Sequence, residues 1–301
     1  MTDPRILRIG TRESALALYQ TRLVAGLLAP HGTSIVGITT AGDNQHITLT
    51  GHGSAGLFVN TLRAALLDGR VDLIVHSLKD VPTERDERFA LAAVPQRVDV
   101  RDVFVGRDGA SIDDLPAGSL IGTSSPRRAA WVRRRRPDLR VEPIRGNVDT
   151  RLAKVARGDY DGTLLALAGL ARLGLLTNAM HPIDDLIPAP AQGALGVECR
   201  ADDAHVLTAL AAIDDVEARI TATAERAVLR ELGASCATAA GALATREGDV
   251  VVLRADVSSD AERILIERVA PVATVEEAEA LGVLVAEALL DAGAGAFVDP
   301  R

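Results

Sequence analysis

The chain reads as an α/β protein with largely parallel sheets, ending in a smaller α+β segment. Through about the first two hundred of its 301 residues, short β-branched or apolar runs alternate with helical patterns, the rhythm of strand–helix units. After roughly residue 215 that rhythm stops and longer helical and strand runs replace it. The length exceeds the size at which one core stops growing, which predicts two or three domains.

The first strand, over residues 5–9, runs into "TRES", where Ser14 is a candidate N-cap for a helix over 14–28. A strand over 34–39 and a helix over 57–67 follow, then the apolar strand 71–75. That strand emerges into "HSLKDVP", where Pro82 stops regular pairing. In the middle third, strands over 120–122, 141–144 and 163–167 alternate with helices over 126–135 and 150–157. The connectors "AAVPQRVDVRD" and "LIPAPAQGALG" bracket this part and are candidate hinges. A long helix over 216–232, strands over 249–257 and 263–270 and a helix over 275–292 make up the C-terminal part.

One segment stands out against a net charge of -8: "GTSSPRRAAWVRRRRPDLRVEPIRGNVDTR", with nine arginines. It could be a nucleic-acid surface, a pocket for a small polyanion, or a solvated helix face. Aromatic content of 2%, with Trp131 alone in the stretch, argues against a base-stacking platform, and the negative net charge argues against phosphate neutralisation. In open α/β sheets, ligands gather at the carboxyl ends of strands, where helix N-termini favour anions. Arg12, Arg127 with Arg128, and Arg145 with Arg151 all fall at such strand ends, which suits carboxylates or phosphates. Any one of them, taken alone, could equally pair with an acidic neighbour. Arg133 to Arg136 are consecutive, so they point around a helix and read as its solvated end.

Asp80, beside Lys79 at another strand end, is either an exposed pair or a carboxylate placed for a reaction that develops positive charge. Two cysteines and six scattered histidines form no disulfide framework and no metal-ligand spacing. Cys199 alternates with apolar neighbours and reads as buried, whereas Cys236, in a loop after a long helix, stays open between structural and reactive roles. No secretory signal and no membrane span are legible, so a cytoplasmic protein is expected.

In "RIGTRESALAL", "GLFV", "HSLKDVP", "GTSSPRR", "RGNVDTRL", "AGLARLGL", "PAPAQGALGVECR" and the "ER…L…C" pattern ending at Cys236, the chain resembles the porphobilinogen deaminase (hydroxymethylbilane synthase) family along nearly its whole length. The resemblance implies two domains like type II periplasmic binding proteins around a cleft, plus a small α+β C-terminal domain. Domain 1 would be residues 1–98 with 195–216 returning to it, domain 2 residues 99–194, and domain 3 residues 217–301 with the cysteine loop.

It further implies a transferase of heme and tetrapyrrole biosynthesis, which deaminates four porphobilinogen molecules and joins them head to tail into hydroxymethylbilane. The primer would be a dipyrromethane cofactor held by a thioether to Cys236, with Asp80 as the catalytic carboxylate. Cofactor and substrate contacts would come from Arg12, Ser14, Asp43, Ser77, Lys79, Ser125, Arg127, Arg128, Arg145, Arg151, Arg172 and Gln192. The implied partners are porphobilinogen and the growing oligopyrrole, with no metal, nucleic acid or membrane, and the chain is expected to be a monomer. The sequence departs from the family pattern at Gly51, Ala55 and Asn60, where relatives carry lysines, and at Ala239, where proline is common. An anion-binding protein on the same scaffold is the competing reading; the presence of both Asp80 and Cys236 favours the enzyme.

Overall fold

The run "LIVHS" is apolar at consecutive positions, which suits a strand covered on both faces. In the computed structural model it lies at the centre of a five-stranded sheet. Residues 6–29, 31–39, 54–234 and 238–298 are described, with 54–58 by their backbone alone. The chain divides into two compact units, Met1–Val98 with Ala194–Arg219 and Asp99–Gly193 with Ile220–Arg301.

The first unit holds β1 (Leu7–Thr11), α1 (Ala15–Leu27), β2 (Thr33–Gly37), α2 (Ser54–Leu67), β3 (Leu73–Ser77), β4 (Phe89–Ala93), and from later in the chain β10 (Leu195–Arg200) and α6 (Ala204–Ala211). The sheet order is β2-β1-β3-β10-β4. β1 runs parallel to β2 and β3, and β10 is antiparallel to both its neighbours. Alternation along β3 sends Leu73 and Val75 into a core with Leu7, Ile9, Val24, Val197 and Cys199, and Ile74 into a second core with Ile38, Leu62 and Leu66. Both faces of the sheet are thereby buried.

In the second unit, β5 (Asp102–Gly106), β6 (Leu120–Gly122), α3 (Pro126–Arg135), β7 (Arg140–Glu142), α4 (Val148–Ala156), β8 (Gly162–Ala166), α5 (Leu167–Arg172) and β9 (His181–Ile183) build a sheet of order β7-β6-β8-β5-β9. β6 is parallel to β7 and β8, while β5 is antiparallel to β8 and β9. The two five-stranded sheets therefore share one pattern: second, first and third strands parallel, then an antiparallel strand, then the last. β7 stops at Glu142, short of the expected residue 144, because Pro143 has no N–H to offer the ladder. Phe104, Ile121, Trp131, Val132 and Leu164 form the core on one face, and Val103, Leu165 and Leu170 on the other.

The C-terminal part of the second unit has β11 (Ala240–Glu247), β12 (Val250–Ser258) and β13 (Arg263–Pro271) as an antiparallel sheet under α8 (Val275–Asp291) and most of α7 (Val216–Glu231). Thr274 and Glu277 close a capping box at the start of α8. Gly282 lets α8 approach α7, since a Cβ there would strike Ala224 and Ala227. The expected class is the observed one: α/β for the two larger sheets and α+β for the C-terminal part.

Candidate functional site

In the first unit, the expected residues collect at the carboxyl ends of the neighbouring strands β1 and β3. Arg12 follows β1, and Ser14 caps α1 by accepting from the Ala17 N–H at 3.3 Å. β3 ends at Ser77, whose Oγ accepts a hydrogen bond from the buried Gln20 amide at 2.8 Å. Leu78 to Asp80 form a single 3₁₀ turn. Leu78 is fully buried and its N–H donates to the Ala194 carbonyl at 3.0 Å, so the turn is pinned while Asp80 stands exposed at its end and Lys79 is half-buried. Beside β3, Glu198 accepts from Arg63 through Nη2 at 2.5 Å and Nε at 3.2 Å, and lies 3.1 Å from His76 Nε2. Burial pushes the Glu198 carboxyl up, but the bonds from His76 and Arg63 more than offset it and hold the group at about 2.

In the second unit, the expected residues sit after the three adjacent parallel strands β6, β7 and β8. Ser125 caps α3 with Pro126 in its first turn. Gly146, at φ 115, takes a left-handed conformation before α4, and a Cβ there would lie 2.6 Å from Thr150. Arg151 enters α4 and donates to the Gly146 carbonyl at 2.8 Å. Arg172 ends α5 and donates to the Gly193 carbonyl at 2.8 Å.

Part of the arginine-rich segment resolves differently from its sequence reading. Arg127 and Arg128, expected at the surface of an anion site, are interior residues at 5% and 7% exposure. Both pair with the fully buried Asp102, at 2.7 Å and 2.6 Å. Arg127 also donates to the Ile187 carbonyl and Arg128 to that of Leu164. The run Arg133 to Arg136 ends α3 with Arg133 and Arg135 exposed, as its sequence reading has it, and the four side chains also tether the helix to its surroundings. Arg133 pairs with Asp260, Arg134 donates to the Ser259 carbonyl, Arg135 pairs with Asp113 and Arg136 with Asp138. Arg140 pairs with Glu142. Among the described residues, Arg145 and Arg151 are the two of the nine with neither a carboxylate partner nor a bond across α3. Burial, with the like charge of Arg128 in range, pulls the half-buried Arg151 guanidinium below its usual range. Trp131 is buried in the core at 5% exposure, so its ring is not a stacking face.

Gln192 is fully buried and donates to the Val100 carbonyl at 2.8 Å and to Asp102 at 3.1 Å. Its neighbour Ala191 has a left-handed backbone at φ 61, held by an N–H bond to the buried Glu225 at 2.6 Å. Asp43, Cys236 and Gly51 lie outside the described residues, as does the side chain of Ala55. Asn60 is exposed on α2 and Ala239 is buried. Sequence reasoning missed Asp102, Glu198 and Glu225. The available signal was an acidic residue inside an apolar strand, in "DVFVG" and "LGVECR", since carboxylates are buried only with partners.

Two family models match the chain: porphobilinogen deaminase, dipyromethane cofactor binding domain, over residues 7–208, and porphobilinogen deaminase, C-terminal domain, over 219–291. A porphobilinogen deaminase of Mycobacterium ulcerans is 45% identical over 304 residues, covering 96% of each chain. One of Burkholderia mallei is 48% identical over 305 residues, covering 98% of this chain and 93% of its own. Among solved structures, an ancestral cationic amino acid solute binding protein aligns at TM-score 0.44 and 17% identity, over 68% of this chain and 86% of its own. An arginine-specific periplasmic binding protein of Salmonella typhimurium aligns at TM-score 0.41 and 13% identity, over 69% and 91%. With both family models matched in order and relatives nearly half identical from end to end, the chain belongs to the porphobilinogen deaminase family.

Proposed function

We propose that Asp80 serves the reacting pyrrole, that Cys236 carries the dipyrromethane cofactor through a thioether, and that Arg145, Arg151 and Arg172 take ligand carboxylates. The reaction itself follows from the family: a transferase that deaminates porphobilinogen and joins four units into hydroxymethylbilane in tetrapyrrole biosynthesis. The observation that carries the residue assignment is the pair Arg145 and Arg151. Within so acidic a chain, Arg151 is half-buried, repelled by Arg128 and without a carboxylate partner among the described residues. Each pyrrole of substrate and cofactor carries two carboxylates, so this donor set fits them.

Arg145, Arg151, Arg172 and Ser125 are the candidate carboxylate-binding residues of the second unit, and Gln192, buried with its amide on Val100 and Asp102, would act by positioning. Arg12, Ser14, Ser77 and Lys79 are those of the first unit, and Asp43 is a further candidate ligand contact that, as a carboxylate, would accept from a ligand N–H. Arg127 and Arg128, whose donors go to Asp102, contribute chiefly through their positive field. When bound, the cofactor supplies a nucleophilic ring carbon and a fixed end for chain growth. As the protonated aminomethyl nitrogen leaves as ammonia with the carbon–nitrogen bonding pair, positive charge spreads over the pyrrole, and it is discharged when the next ring's free carbon bonds to the methylene and that carbon's proton is lost. The exposed Asp80 carboxylate, on a turn pinned by Leu78, accepts the pyrrole N–H and stabilises that charge. Lys79 and Arg12, at the same strand ends as Asp80, would orient the substrate's carboxylates so that the reacting ring meets Asp80.

The same reading makes the protein a cytoplasmic monomer that binds no nucleic acid. Among the described residues no helix is long and apolar enough to cross a membrane. The purified protein, incubated with porphobilinogen, should release one ammonia per porphobilinogen consumed. Binding of porphobilinogen without ammonia release would favour the anion-binding alternative.

A further inference from the structure

We infer that Asp102 is a positioning residue for this reaction, the buried carboxylate that sets the ligand-facing cations of the second unit; the inference rests on the functional reading above. Asp102 opens β5 and is fully buried. Its Oδ1 accepts from Arg128 Nη2 at 2.6 Å, Arg128 Nε at 3.0 Å and Gln192 Nε2 at 3.1 Å, and its Oδ2 lies 2.7 Å from Arg127 Nη2. One carboxylate thus orients two guanidiniums and an amide, all three of them expected from the sequence to contact ligand.

The influence of Asp102 reaches further through those partners. Gln192 ties the connector after β9 to the Val100 carbonyl, and the next residue, Gly193, accepts the bond that fixes Arg172. Arg128 in turn projects its charge onto the half-buried Arg151, which has no carboxylate partner among the described residues. A guanidinium buried as deeply as Arg127 or Arg128 requires a charged partner, and a planar two-oxygen acceptor fixes its orientation as well as its charge. Removing the Asp102 charge would therefore release Arg127, Arg128 and Gln192 from their fixed orientations and shift the positive field at the carboxylate-binding residues, without removing any group that touches ligand.

The test is steady-state kinetics and intact mass on Asp102→Asn beside wild type, with folding checked by the near-ultraviolet signal of Trp131, the single tryptophan, which lies on α3. The expected result is a loss on the order of 10²-fold in kcat/KM for porphobilinogen, the scale of an ångström-level misplacement, carried mainly by KM. A smaller share of the protein should carry the dipyrromethane mass increment. A purely structural Asp102 would lower the thermal midpoint and leave KM of the folded protein at the wild-type value, which overturns the inference. If the asparagine variant does not fold, Asp102→Glu carries the test: it keeps the charge and displaces it by one methylene, so a wild-type KM in the folded variant overturns the inference equally. Wild-type protein that releases no ammonia from porphobilinogen overturns the functional reading and this inference with it. Active wild type beside an unaffected Asp102 variant overturns this inference alone.

Discussion

Glu198 on β10 lies 3.1 Å from the imidazole Nε2 of His76 on β3, two residues before the turn that carries Asp80. The same carboxylate takes two bonds from Arg63, and together these partners hold it at about 2 against an ordinary value of 4.5. A folded value below the unfolded one means that the contribution is fully present above pH 4.5 and is lost as pH falls towards about 2. Glu198→Gln should therefore cost on the order of 3 kcal/mol near pH 7, where the largely buried Arg63 side chain loses its counter-charge. That difference from wild type should shrink between pH 5 and pH 3. Urea unfolding of both proteins at the two ends of that range checks it; a pH-independent difference would remove the ion pair from the account.

Asp80→Asn should lower turnover by about 10²- to 10⁴-fold, the range for a positioned carboxylate in proton transfer. Stability should hardly change, because Asp80 is exposed and the turn is anchored by Leu78. Leu78→Ala should do the reverse on stability, costing about 2–5 kcal/mol through the cavity it leaves. Denaturant midpoints alongside rates of ammonia release separate the two, and a folded, fully active Asp80→Asn protein would end the assignment.

The sheets were legible in the sequence because their strands are apolar on consecutive positions and their helices start at serine caps such as Ser14 and Ser125. The antiparallel pairings of the two larger sheets were not. Nothing in "LGVECR" says that β10 inserts between β3 and β4, since pairing direction is a long-range property. For the site, position along the chain was informative and burial was not. Arg128 and Arg145 look alike in sequence, both following a strand end, yet one is interior and paired while the other is exposed. The difference is made by Asp102, which comes from a strand that the alternation pattern did not reveal. The partners of Arg133 and Arg134 were hidden for the same reason, because Asp260 and Ser259 approach α3 from a hairpin more than a hundred residues away.

Arg145→Ala and Arg151→Ala should each raise KM for porphobilinogen about tenfold or more at unchanged thermal midpoint, the loss of one charge-assisted contact. Arg135→Ala, which removes a surface pair with Asp113 and a contact with Trp131, should leave KM unchanged and alter stability by at most about 1 kcal/mol. Equal KM effects from all three would mean that the segment acts through its summed charge, and raising the ionic strength would then weaken binding in every variant alike.

The two cysteines give the last prediction, because only one of them should be chemically available. Cys199 is fully buried on β10, and burial, reinforced by the charge of Asp203, pushes its thiol up to about 11. The thiolate is the reactive form, so a thiol reagent at pH 8 should not label Cys199 in the folded protein. If Cys236 holds the dipyrromethane through a thioether, wild type should be heavier than its sequence by two linked pyrrole units. Unfolding it should then release one titratable thiol instead of two. Cys236→Ser should also show one thiol on unfolding, but with no added mass and no turnover, whereas Cys199→Ser should keep the mass and show none. Dithiothreitol should leave the adduct in place, since a thioether offers no disulfide sulfur to attack. Two thiols in unfolded wild type, with no mass increment even after incubation with porphobilinogen, would mean that Cys236 is not the attachment point.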